Sequence, residues 1–199
     1  MTLRTERGTR GLMKTLLDAE EVSRGLRRIA GEIVERHRGT AGLVLIGIRR
    51  GGVPIVREIQ RWVQEQEGVE VPIGTVDITL YRDDAATALP NPRIGPSDIP
   101  CTLDSKRVVL VDDVAFTRRT TRAALDAVLD FGRPQKIELA VLIDRGGRQL
   151  PIQPDYRVKR VEDIANNQRI DVCEREGQLV AVVQPNSAPS VPPPGLSYR

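Results

Sequence analysis

Residues 43–48, Leu-Val-Leu-Ile-Gly-Ile, carry no polar side chain, and largely apolar runs return at 107–111 and 136–143. A strand without a polar face has to be covered on both sides, the situation of a parallel sheet held between helices. Residues 53–66 follow the first run at helical spacing, with Pro54 in the first turn, and 121–131 follow the second, closed by Gly132 and Pro134. The repeated strand-helix-strand order predicts an α/β fold with a central, mostly parallel sheet flanked by helices. Aromatic residues make up only 3% of the 199-residue chain, so Val, Ile, Leu and Ala must fill the core.

Upstream, Asp18 and Glu21 form a capping box, and Val22, Leu26, Ile29, Ala30, Ile33 and Val34 recur at helical spacing up to Gly39. The opposite face of that helix collects Arg24, Arg27, Arg28 and Arg38, either a solvated surface or an anion-binding one. Residues 74–81 alternate toward another strand. The runs 170–173 and 179–183, flanking Arg175-Glu-Gly177, read as a C-terminal hairpin. Residues 83–105 hold Pro90, Pro92, Pro96 and Pro100 with little periodicity, and so long a loop is functional or disordered. One domain over 17–183 is expected, with a disordered extension at 1–16 and a Pro/Ser-rich disordered tail at 184–199.

Two isolated cysteines, Cys101 and Cys173, make no disulfide framework, and no His/Cys group has zinc spacing. A reducing cytoplasm fits that usage. No signal peptide and no membrane span are expected, because the apolar runs are too short. Of the 30 basic residues only Lys14, Lys106, Lys136 and Lys159 are lysine. Arginine suits phosphates, because its planar fork donates two parallel hydrogen bonds.

The chemistry concentrates at 108–120, Val-Val-Leu-Val-Asp-Asp-Val-Ala-Phe-Thr-Arg-Arg-Thr. A polar loop between a buried strand and a helix N-terminus is where an open α/β sheet binds ligands. Amides and dipole there cradle phosphate, and Thr117, Thr120 and Thr121 add hydroxyls. Asp112 and Asp113 can accept hydrogen bonds from sugar hydroxyls; a solvated turn and a Mg²⁺ site are the alternatives.

This segment resembles the 5-phosphoribosyl-1-pyrophosphate (PRPP) motif of type I phosphoribosyltransferases. Within that superfamily the chain resembles the PyrR family, bifunctional pyrimidine-operon attenuators and uracil phosphoribosyltransferases. The resemblance is carried by Asp77-Ile-Thr-Leu-Tyr-Arg-Asp-Asp84, by the 108–120 segment, by Ala123-Ala-Leu-Asp-Ala127 with Gly132-Arg-Pro134, and by Leu139-Ala-Val-Leu-Ile-Asp-Arg-Gly146 with Leu150-Pro151. It implies a small hood over the sheet, and that Asp112 and Asp113 hold the ribose hydroxyls. Val114, Ala115, Phe116, Thr117, Arg118, Arg119 and Thr120 would wrap the 5′-phosphate. Arg49, Arg50, Gly51 and Gly52 would receive pyrophosphate, and Arg82 would close over it as it leaves. Mg²⁺ would arrive with PRPP and be held mainly by its oxygens, with Asp112 and Asp113 as candidate contacts but no assured protein ligand, and no catalytic nucleophile is implied. Val161 would frame the base. Implied partners are PRPP, uracil, UMP or UTP, leader mRNA bound through Arg27, Arg28, Arg145 and Arg148, and further copies of the chain in a homo-oligomer.

Three positions depart from the family pattern. Arg118 stands where the phosphate loop ordinarily has glycine, so turnover is either weakened by strain and crowding or aided by a new phosphate contact. Residues 158–163, Val-Lys-Arg-Val-Glu-Asp, replace the family's hood sequence, which leaves another base open as acceptor. Gly31 and Gly147 stand where family members often carry histidine on the RNA-facing side. His37, the only histidine, is expected to be exposed near a helix end.

Overall fold

The computed structural model describes residues 13–81 and 97–187. Its strands are β1 (Lys14–Leu17), β2 (Leu43–Ile48), β3 (Ile73–Val76), β4 (Arg107–Ala115), β5 (Lys136–Arg145), β6 (Tyr156–Val161), β7 (Gln168–Arg175) and β8 (Gln178–Pro185). Its helices are α1 (Ala19–His37), α2 (Gly52–Glu67) and α3 (Arg119–Leu129), with a 3₁₀ turn at Thr79–Tyr81. β3-β2-β4-β5-β6 form a wholly parallel sheet, while β1-β8-β7 form a separate antiparallel one.

Both faces of the parallel sheet are covered, as its apolar strands require. Leu26, Ile29 and Ile33 of α1 and Ile55 and Ile59 of α2 pack with Val109 and Val111 on one side. Ala123, Ala124, Ala127 and Val128 of α3 meet Val108, Leu110 and Ile46 on the other. The capping box forms: Asp18 accepts from the Glu21 amide at 2.8 Å, and Glu21 accepts from the Asp18 amide at 3.0 Å. Gly68 closes α2 at φ 69, in the left-handed region that glycine enters freely.

Several expectations are revised. Residues 74–81 do not make one strand: β3 stops at Val76 and the chain turns at 79–81. β4 runs on through both acids to Ala115, so Asp112 and Asp113 lie within the strand. Residues 158–161 belong to β6, the edge strand beside β5, and it is β7 and β8 that pack into the core α1 and α2 share with the parallel sheet. Of the extension expected to be disordered, residues 14–16 join Leu17 in β1 and pair with β8, and β8 runs to Pro185; residues 1–12 and 188–199 lie outside the described residues. His37 is buried, its Nε2 2.6 Å from Glu138, a side chain that also accepts from Tyr156 at 3.0 Å and Arg36 at 3.2 Å. Burial pushes the Glu138 carboxyl up, but hydrogen bonds from Lys136, Tyr156 and His37 outweigh it and hold the group below the ordinary value.

Candidate active site

The strand order reverses between β2 and β4, and the loops leaving these two strands face each other there. After β2, Arg49, Arg50 and Gly51 lead into α2; the Arg49–Arg50 peptide is cis. Arg49 is tied down by its amide to Val76 O at 2.9 Å and its guanidinium to Thr75 Oγ1 at 3.2 Å. A Cβ on Gly51 would stand 2.2 Å from a carboxylate oxygen of Asp113, and one on Gly52 2.1 Å from the carbonyl oxygen of Val111. Two glycines in succession therefore allow this loop to lie directly against the acid pair.

Asp112 and Asp113 are positioned by their own backbone: the Asp113 amide donates to Asp112 at 3.0 Å and the Val114 amide to Asp113 at 2.7 Å. Both carboxyls are pushed up. For Asp112 burial is the larger cause and the charge of Asp113 the next; for Asp113 burial dominates. A cavity of about 410 Å³ joins these acids to Arg49, Arg50, Gly51, Ile78, Thr79, Val114 and Thr120, and to Asp171 and Val172 of β7. The first-turn amides of α3, which no intrahelical carbonyl satisfies, start beside it.

Arg118 caps α3 at φ 75, ψ 3, the left-handed conformation a glycine would adopt. Its side chain is buried and turned away from the acid-pair cavity. It pairs with Asp144 and donates to Phe116 O at 2.7 Å and Ile152 O at 3.3 Å. Phe116 lies under the Arg145 guanidinium, 4.1 Å from ring centroid to Cζ, and takes the space a Cβ on Gly147 would need.

An acid pair, a close-approach glycine loop and a helix N-terminus thus meet in one cavity. Residues 13–176 match the phosphoribosyl transferase domain model. Among solved structures, the hypoxanthine phosphoribosyltransferase of Trypanosoma cruzi superposes with TM-score 0.64 at 20% identity, covering 87% of this chain and 97% of that one, a likeness of fold. The bifunctional protein PyrR of Geobacter sulfurreducens is 58% identical over 141 residues, 71% of this chain and 80% of that protein. The Thermus thermophilus PyrR is 48% identical over 174 residues, 81% of this chain and 96% of that protein. The chain belongs to the PyrR family of phosphoribosyltransferases.

Of the residues that the PyrR resemblance implied, Arg49, Arg50, Gly51, Asp112, Asp113, Val114 and Thr120 line the cavity. Gly52 and Ala115 are buried, Thr117 stands in the turn into α3, and Arg119 is the first residue of that helix. Phe116, Arg118 and Val161 are directed elsewhere; the Val161 carbonyl accepts from the Gly146 amide at 3.0 Å. Arg82 lies outside the described residues. Arg27, Arg28 and Arg148 are on the surface, whereas Arg145 is 7% exposed and committed to Phe116 and the Ala165 carbonyl, so it is not a surface residue. Ile78, Thr79, Asp171 and Val172 are additions. Thr79 sits in the Asp77–Asp84 block, a signal that was available; nothing local marks Asp171.

Proposed function

We propose that the chain transfers the phosphoribosyl group of PRPP to uracil, giving UMP and pyrophosphate, and binds pyrimidine-operon leader RNA in response to uridine nucleotides. The observation that carries the enzymatic half is the single cavity joining the 49–51 loop, the acid pair and the start of α3. Asp112 and Asp113 accept the ribose 2′- and 3′-hydroxyls, and the α3 amides with Thr117 and Thr120 hold the 5′-phosphate. Amides of the 49–52 loop and the charge of Arg49 and Arg50 take the pyrophosphate. Displacement at the anomeric carbon develops charge on the leaving group, and these fixed donors stabilise it without reorganising. Among the described residues no three acids, histidines or cysteines are grouped to hold a metal. Mg²⁺ would come with PRPP, held by its oxygens, with one or two carboxylates of the pair beside it. Bound Mg²⁺ would neutralise pyrophosphate charge.

The glycine-like backbone at Arg118 and its inward-turned side chain support a loop that still accepts phosphate, and so favour turnover over a purely regulatory nucleotide binder. Incubating the protein with labelled uracil, PRPP and Mg²⁺ should yield UMP; none at high protein concentration would sink the enzymatic reading. UMP formed from uracil, with hypoxanthine, guanine and xanthine inert, would fix the base.

The RNA half rests on Arg27 and Arg28 of α1 and on Arg148, exposed on the β5–β6 side. Arg27 stacks on Trp62 at 5.2 Å and Arg28 donates to Arg157 O at 2.8 Å, so both are held in place at the surface. RNA retention should fall with salt, and Ala at both positions should weaken it while PRPP binding persists. Membership of the family also supports assembly into dimers or larger homo-oligomers, which light scattering would measure.

A further inference from the structure

A second cavity, of about 520 Å³, opens where β5 and β6 end, and shares no lining residue with the cavity over the acid pair. Its charged walls are Arg118, Arg148, Arg157 and Arg160 against Asp144 and Glu162, four cations to two anions. The remaining lining, Gly146, Gly147 and Gln153, is small or polar. We propose that this cavity is a second, non-catalytic site for a small phosphorylated ligand bearing two or more negative charges.

The charge arrangement makes the case. Asp144 would repel an anion from the floor, but the buried Arg118 pairs with it and leaves that floor neutral. Arg157, at 3.7 Å from Asp144, is then only loosely engaged and 44% exposed at its side chain. Arg148 makes no ion pair among the described residues, and Arg160 is shared with the exposed Glu162. Three guanidiniums therefore face a neutral floor with one carboxylate among them, and Arg forks match phosphate oxygens bidentately. Cavities of roughly 300–1,000 Å³ hold ligands of nucleotide size. Without apolar lining, the phosphates rather than a base carry recognition. The proposal does not rest on turnover.

Calorimetric titration of the full chain with inorganic tripolyphosphate tests it. Wild type should bind two equivalents, one at the 49–51 loop and one here. Arg157→Gln with Arg160→Gln should weaken one equivalent at least tenfold, Arg49→Gln should weaken the other, and the triple variant should bind none tightly. Arg148→Gln, a change on an exposed residue that leaves folding alone, should weaken the same equivalent as the Arg157/Arg160 pair. A single equivalent in wild type, removed by Arg49→Gln alone, would overturn the proposal. So would a second equivalent that survives both the pair and Arg148→Gln. Loss of RNA retention or a changed oligomeric state in the pair, with both equivalents kept, would overturn it too and assign these arginines to RNA or to a subunit contact. Failure of the Arg49 arm alone would bear on the catalytic reading instead.

Discussion

Arg118 holds a left-handed backbone that costs an L-residue about 1–2 kcal/mol relative to glycine, and its buried ion pair with Asp144 is what holds it there. Arg118→Gly should relieve that strain yet leave Asp144 buried without its main partner, a loss of about 3–5 kcal/mol. Arg157 recovers part of this, so chemical denaturation should show a net destabilisation of about 2 kcal/mol, reversed in large part by adding Asp144→Asn. A variant more stable than wild type would contradict the pairing. The acid pair works oppositely. Asp112 is pushed up by burial and by Asp113, so its ionised form destabilises the free protein above the raised pKa, and that penalty fades as pH falls through it toward the ordinary carboxylate value. Asp112→Asn should therefore melt higher than wild type at neutral pH, with the gap closing on acidification, while PRPP binding is lost. The acid pair was legible because strand, acids, loop and helix are consecutive. The role of Arg118 was not, because its partner Asp144 lies 26 residues on and only the β4–β5 register brings the two together.

β6 shows what hydrophobic periodicity misses at the level of the element. Its sequence Tyr-Arg-Val-Lys-Arg-Val is half basic, which suits an edge strand with a single neighbour, where charged residues discourage further pairing. β1, four residues long, is legible only through its partner β8. The buried strands β2, β4 and β5, in contrast, announce themselves by lacking polar residues. α1 reaches β6 closely at Gly25, where an added Cβ would stand 2.3 Å from a methyl of Val158. Gly25→Ala raises intrinsic helix propensity by about 1 kcal/mol, but overpacking of about 1–3 kcal/mol opposes it. A net loss of stability is expected in urea unfolding, and Gly25→Ala with Val158→Ala should recover it. Stabilisation by Gly25→Ala alone would show that β6 can shift freely, contrary to the packing of Val158 against the α1 core.

At the scale of the whole molecule, the cavity over the acid pair joins two sheets that share no strand. Asp171 and Val172 come from β7, while the acid pair comes from β4. Asp171 is fixed from its own sheet, by Arg169 Nε at 3.1 Å and by Gln184 of β8. A ligand that contacts both walls has to hold the antiparallel sheet against the parallel one, and binding to the native state alone adds stability that grows as the logarithm of one plus the ratio of free ligand to its Kd. Amide hydrogen exchange should therefore slow in β7 and β8 as well as in the 116–120 turn when UMP is bound, and Asp171→Ala should uncouple the two while leaving protection of the turn. Protection confined to the turn in wild type would mean that the antiparallel sheet is a passive cover. Protection of β7 and β8 that vanishes with Asp171→Ala would make Asp171 the residue through which the nucleotide draws the two sheets together.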